Sequence, residues 1–283
     1  MNRLAVAALM FITILAAQAP KKVAPAMPYT QLYVFGDSYS DSGSGYVDTN
    51  GPTAVAYLAD HLNIPFTWYG DPNYSKTQGL NFAISGAQTG AGAGRRYPTG
   101  QMLGIGMRNQ VDEFVAFSKS GDVPKFDPAT TMFFFAGGLN DRGKPEGYTR
   151  SNIEDEIDTL YVLGARRFMV ALLPTKIPQF ATAGIQFNPE LARIPAEELV
   201  KHPDIRIANS DWGLFMDEVI TNPAKYGITD VTHPCAGRDI HHEDTAPCTS
   251  PETHFFYHEG HPSNAVHRAV GEMLYHEALT KAP

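Results

Sequence analysis

Residues 131–136 read Thr-Met-Phe-Phe-Phe-Ala, and this run constrains the fold more than any other stretch of the chain. Three consecutive phenylalanines leave neither face of a strand free for water, so such a strand must be covered on both sides. Similar short apolar runs at 32–35, 81–84, 167–172 and 205–208 alternate with helical patterns. The helices are expected at about 52–62, 110–117, 151–163, 191–200, 211–220 and 263–278. Strand alternating with helix predicts a parallel sheet sandwiched by helices, an α/β fold of the three-layer α/β/α kind with about five strands. A capping box, Ser151 with Glu154, is expected to open the third helix. After residue 28 no linker-like break or internal repeat interrupts the pattern, so residues 30–283 are expected to form one domain, preceded by a loose lead-in over 20–29.

The first residues differ from the rest. Met1-Asn2-Arg3 is a short basic start, residues 4–17 are apolar, and Ala17-Gln18-Ala19 supplies small residues before Pro20. This is the pattern of a secretory signal peptide over 1–19, cleaved near Ala19. The apolar run is shorter than the roughly 20 residues that span a bilayer, and no later stretch is longer, so no stable membrane insertion is expected. With 30 acidic against 22 basic side chains, a net charge of −8, the chain is a poor partner for nucleic acid or anionic lipid. Its only cysteines, Cys235 and Cys248, are expected to pair in an exported protein. Their spacing is not that of a zinc site, and no metal is expected. Gly90 to Gly94 lacks the lysine and spacing of a phosphate loop, which argues against a nucleotide cofactor.

Four short segments fall at loops after strands or before the last helix. They are Gly36-Asp37-Ser38, Ser85-Gly86-Ala87, Gly138-Leu139-Asn140-Asp141 and Gly260-His261-Pro262-Ser263. Loops that follow parallel strands share one edge of the sheet, where ligands bind. There Ser38 can attack a carbonyl carbon and His261 can take its proton and hand it to the leaving alcohol. The backbone N–H groups of Ser38 and Gly86 and the side-chain amide of Asn140 can hold the developing oxyanion. Read singly, each residue fits an ordinary turn, cap or loop role; the ordered set does not.

With these segments in view, the chain resembles the SGNH, or GDSL, esterases and lipases, and the larger secreted lipase and acylhydrolase members in particular. Phe35-Gly36-Asp37-Ser38, residues 81–87, Gly138-Leu139-Asn140-Asp141 and His261-Pro262-Ser263 look like the four blocks of that family. Leu163-Gly164-Ala165-Arg166-Arg167 and residues 222–228 continue the similarity over roughly 30–279. The resemblance implies a serine acyl-enzyme mechanism, no cofactor, and the roles above for Ser38, Gly86, Asn140 and His261. The substrate would be a small-molecule or polymeric carboxylic ester: a lipid, a phospholipid or an acylated polysaccharide. Neither acyl length nor oligomeric state is legible.

One position departs from the family. Where an Asp usually stands three residues before the histidine, this chain has His258, followed by Glu259. A triad carboxylate fixes the tautomer of the histidine and steadies its cation. The place could be taken by a backbone carbonyl, leaving a Ser–His dyad, or by Glu259 through an irregular turn. Asp239 or Asp244 from the cysteine-closed loop could also take it. A further reading is a non-catalytic carbohydrate- or ligand-binding relative. The working dyad with a neutral orienting group is the expectation carried forward.

Overall fold

The computed structural model of the chain describes residues 28–76, 79–281 and 283; the expected signal segment and most of the lead-in lie outside them. In chain order the elements are β1 (Gln31–Gly36), α1 (Ala54–His61), β2 (Phe66–Trp68), β3 (Gly79–Asn81), β4 (Ala93–Arg96), β5 (Met102–Ile105), α2 (Met107–Ser120), β6 (Thr131–Ala136), α3 (Tyr148–Leu163), β7 (Arg167–Ala171), α4 (Ala181–Leu191), α5 (Ile194–Lys201), β8 (Arg206–Ser210), α6 (Trp212–Thr221), β9 (Phe256–His258), β10 (His261–Pro262) and α7 (Asn264–Thr280). Six strands form the central sheet in the order β2-β3-β1-β6-β7-β8, every neighbouring pair parallel.

The phenylalanine strand lies at the middle of this sheet. All six residues of β6 are buried, as a strand covered on both faces must be. Phe133 meets Phe114 of α2 at 5.5 Å between ring centroids, and Phe135 lies tilted beside Phe35 of β1 at 5.3 Å. Burying one such ring stabilises the fold by about 2–3 kcal/mol. Helices α1, α6 and α7 pack together, as do α2, α3, α4 and α5, which gives the helical layers of a three-layer α/β/α sandwich.

The sheet has one strand more than expected. β2 is a three-residue edge strand, too short for its pattern to stand out from the loop around it. The glycine-rich stretch also holds more structure than a loop: β4 and β5 pair as an antiparallel hairpin. The helix expected at 191–200 is α5, and a helix that was not expected, α4, precedes it over Ala181–Leu191. The capping box is a correction. Helix α3 begins at Tyr148, so Ser151 lies within it, and Gly147 stands at its N-cap with φ near +79°. The helical pattern extends one turn further toward the N-terminus than the Ser–Glu spacing suggested.

This topology places the site. The chain leaves β1 toward β3 on one side, and β6 lies on the other. The carboxyl ends of β1 and β6 therefore flank the point where the strand order reverses, which is where open α/β sheets leave a crevice. Gly36 closes β1 there because a Cβ at that position would lie 2.5 Å from the carbonyl oxygen of Ala136.

Candidate active site

The turn after β1 delivers Ser38. Asp37 accepts the backbone N–H of Tyr39 at its Oδ1, while its Oδ2 is buried without a partner. Burial pushes the Asp37 carboxyl up to about 8, against the backbone bond that favours its anion, so at neutral pH this side chain is largely protonated. Asp41 accepts the N–H groups of Gly43 and Gly45 at Oδ1 and of Ser85 at Oδ2, at 3.0, 3.1 and 2.7 Å. It thereby fastens the Ser38 turn to the loop that carries Gly86.

That loop is joined in turn to the segment after β6. Asn140 donates its side-chain amide to the carbonyl of Ala87 at 3.0 Å, and Gln88 donates to the carbonyl of Asn140 at 3.1 Å. Asp141 accepts the Thr89 N–H and hydroxyl and the Thr149 hydroxyl. Asn140 keeps a second amide hydrogen, since the NH₂ group carries two. Gly86 sits at φ near +79°, a region L side chains rarely adopt, and its residue is exposed. Among the described residues the backbone N–H groups of Ser38 and Gly86 have no hydrogen-bond partner.

His261 comes from the other end of the chain. β9 and β10 pair as a small antiparallel hairpin with His258 opposite His261, turning through Glu259 and Gly260. Tyr39 donates its hydroxyl to the carbonyl of Gly260, and the rings of Tyr39 and Phe180 stand edge-on to the imidazole at 5.5 and 5.8 Å. Nε2 of His261 lies 2.9 Å from Ser38 Oγ, and Nδ1 lies 2.9 Å from the backbone carbonyl of Glu259. A carbonyl oxygen only accepts. The proton of the neutral ring is therefore on Nδ1, and Nε2 presents its lone pair to the serine hydroxyl.

The structure therefore brings Ser38 and His261 into contact and bonds the loops of Gly86 and Asn140 to one another. Glu259 meets the histidine through its main chain, while its carboxylate accepts from Gln179 at 3.3 Å. His258 turns toward a residue absent from the sequence reading. Its Nδ1 donates to Oδ1 of Asp48 at 3.1 Å. Asp48 is 2% exposed and is held by two further residues. Ser85 donates to its Oδ2 at 3.1 Å, and Arg238 donates from Nη2 to the same oxygen at 3.0 Å. Nε of Arg238 stands 2.8 Å from Oδ1, off line for a hydrogen bond. Oδ2 of Asp48 also lies 3.5 Å from Nε2 of His261.

Burial works to raise the Asp48 carboxyl, but His261, His258 and Arg238 outweigh it and hold the group below its ordinary value. Burial also pushes the His261 imidazole below its ordinary value; Asp48 pulls it back up, and Arg238 pushes it further down. Neither Asp48 nor Arg238 was legible as a site residue. A lone Asp in the polar run before Gly51-Pro52 looks like turn chemistry, and a lone Arg in a charged loop looks like solvated surface.

Cys235 and Cys248 form a disulfide with an S–S distance of 2.10 Å. The loop they close brings the positive charge of Arg238 to the site. Of the carboxylates considered there, Asp244 accepts the N–H of Ala246 instead. Among the described residues no helix is long and apolar enough to cross a membrane.

The sequence pattern of the GDSL-like Lipase/Acylhydrolase family matches residues 32–274. The chain belongs to this family. A GDSL esterase/lipase of Arabidopsis thaliana is 24% identical over 316 residues, covering 86% of this chain and 81% of the relative. GDSL esterase/lipase 6 of the same plant is 21% identical over 318 residues, covering 86% and 85%. Among solved structures, a lipolytic protein of the G-D-S-L family from Veillonella parvula superposes with a TM-score of 0.46 at 12% identity, covering 88% of this chain and 96% of that one. An aryl esterase of M. smegmatis gives 0.42 at 14%, covering 89% and 99%. At family level this GDSL protein is a carboxylic ester hydrolase.

Proposed function

We propose that the protein is an exported serine ester hydrolase in which Ser38 and His261 work as a dyad. The observation that carries this reading is the pair of 2.9 Å contacts of His261, one from Nε2 to Ser38 Oγ and one from Nδ1 to the Glu259 carbonyl. As Oγ attacks the ester carbonyl carbon, its proton passes to Nε2 and the carbonyl oxygen becomes an oxyanion. The N–H groups of Ser38 and Gly86 and the free amide hydrogen of Asn140 receive that charge, each contributing about 3 kcal/mol. His261 then gives the proton to the departing alcohol, and the acyl group stays on Ser38. Water enters by the same route: His261 takes its proton, and the acid leaves with the serine hydroxyl restored. The Glu259 carbonyl keeps the ring in the tautomer that each step needs.

The lowered pKa of His261 supports the role of base, because the ring is then neutral at physiological pH. Export is supported by the signal-like start of the chain and by the disulfide, a bond that persists in oxidising compartments. The substrate is a carboxylic ester of a lipid, a phospholipid or an acylated polysaccharide.

The test pairs a p-nitrophenyl ester series, from acetyl to long acyl chains, with a fluorophosphonate label. Wild type should hydrolyse the esters and take the label on Ser38. Ser38→Ala should lose both, the rate falling by at least about 10³-fold. Hydrolysis that survives Ser38→Ala would remove Ser38 as the nucleophile, and a folded wild type inert to both reagents would return the chain to the ligand-binding reading.

A further inference from the structure

Position 258 holds a histidine where the carboxylate of a triad would be expected, yet a buried carboxylate stands beside His261 all the same. Among the described residues Asp48 is the only acidic side chain within ion-pair distance of that ring, Oδ2 to Nε2 at 3.5 Å. We propose that Asp48 is a positioning residue that supplies the negative charge His261 needs when it becomes protonated, acting from the Nε2 side of the ring. The proposal rests on the Ser38–His261 reading.

The tautomer explains why this contact is selective. In the resting site the Nδ1 proton is given to the Glu259 carbonyl, and Nε2 is a bare lone pair facing both Ser38 Oγ and Asp48. A carboxylate gains nothing from a lone pair. Once Nε2 carries the serine proton, the same carboxylate faces an imidazolium N–H at ion-pair distance. Asp48 thus favours the charged state over the neutral one, and only an interaction stronger in the transition state than in the ground state accelerates a step. The proton is not captured on the way. Asp48 is held below its ordinary pKa, with His258, Arg238 and Ser85 all donating to it or ion-paired with it, so it stays an anion while Nε2 passes the proton to the leaving alcohol.

The surrounding charges fix the signs of the experiment. The groups facing His261 are Asp48 before α1, Arg238 from the disulfide loop, His258 from β9, Tyr39 after β1 and His267 from α7. Burial keeps Tyr39 and His267 uncharged near neutral pH, pushing the phenol well up and the imidazole down to about 3. Asp48 raises the basicity of His261 and Arg238 lowers it.

The experiment measures kcat, KM and the pH profile of kcat/KM on p-nitrophenyl acetate for wild type, Asp48→Asn, Arg238→Gln and Ser38→Ala, with thermal melts to confirm folding. Asp48→Asn should lower kcat about 10- to 100-fold with KM within about threefold, and should move the acid limb down by about one pH unit. Arg238→Gln should move that limb up. A purely structural role for the cluster would not shift the limb in opposite directions. Asp48→Asn with wild-type kcat and an unmoved limb, beside an inactive Ser38→Ala, overturns the proposal and leaves the plain dyad. Activity in Ser38→Ala overturns the underlying reading instead. Should Asp48→Asn fail to fold, Asp48→Ser takes its place: a fall in kcat with a downward limb supports the role of Asp48, and wild-type kcat with an unmoved limb removes it.

Discussion

Arg238 grips Asp48 across 190 positions of sequence, Nη2 to Oδ2 at 3.0 Å, and so ties the disulfide loop to the segment that precedes helix α1. The guanidinium of Arg238 also lies over Tyr46, with its carbon 5.2 Å from the ring centroid. The disulfide is therefore a site element as well as a staple. It fixes a loop whose Arg238 reaches the carboxylate beside the histidine.

Replacing both cysteines with serine should accordingly do two things. A bridge spanning 13 positions restricts the unfolded chain and stabilises the fold by about 3 kcal/mol, which chemical denaturation of the variant would read as a lower midpoint. Under conditions where the variant is still folded, kcat should fall as well, because Arg238 is no longer held on Asp48. A variant that loses stability but keeps full kcat would show that the loop does not matter to the site.

Glu259→Gln should leave ester hydrolysis within about threefold of wild type, since the main-chain carbonyl of residue 259 meets His261 and its carboxylate meets Gln179. A loss near 10⁴-fold, as expected when a triad orienter is removed, would make the Glu259 side chain the third member. Initial rates on p-nitrophenyl acetate are sufficient to separate the two.

Asn140→Ala should reduce kcat by about 10²- to 10³-fold with little change in KM, as the loss of one oxyanion donor does. Part of any fall in stability belongs to the lost bond to the Ala87 carbonyl, worth about 1 kcal/mol. A melt measured beside the kinetics keeps the two effects apart.

The pH dependence of stability should have a component from His267, which is buried between α1 and α7 and accepts the N–H of Ala54 at Nδ1. Burial pushes this imidazole down to about 3, against 6.5 for an ordinary histidine. The folded state thus binds the proton more weakly than the unfolded chain. The stability this group leaves intact above pH 6.5 should drain away as pH falls toward 3, by about 4–5 kcal/mol in all. Asp37 acts in the opposite sense. Its folded pKa is raised to about 8, so its contribution is full below about 4 and is lost as pH rises toward 8. Denaturation midpoints of wild type and His267→Gln between pH 4 and 7 check this: the two groups offset each other over that range in wild type, so the variant, left with Asp37, should lose stability more steeply as pH rises.

The central strands, the serine and the histidine were legible because each has a local signature. Three phenylalanines in a row admit few environments besides a strand covered on both faces, and β6 occupies that place. Glycine followed by Asp-Ser at a strand end, and Gly-His-Pro-Ser before a helix, are local patterns too. Boundaries were less legible. Helix α3 starts at Tyr148 because its buried face continues to Thr149, which no cap spacing announces.

Asp48 and Arg238 were not legible, and the reason is physical. A carboxylate in a polar loop acquires functional meaning only from its distance to another group, and that distance is set by the sheet order, the Gly260 turn and the disulfide together. The sequence by itself determined the layered parallel fold, the two cysteines available for a bridge, and which hydroxyl and which imidazole could meet. Only the tertiary structure decided what stands around that imidazole: a backbone carbonyl on one nitrogen, and near the other a buried carboxylate held by an arginine. Periodicity and local turn chemistry act over a few residues, whereas the field at His261 sums charges that the chain carries some 200 positions apart.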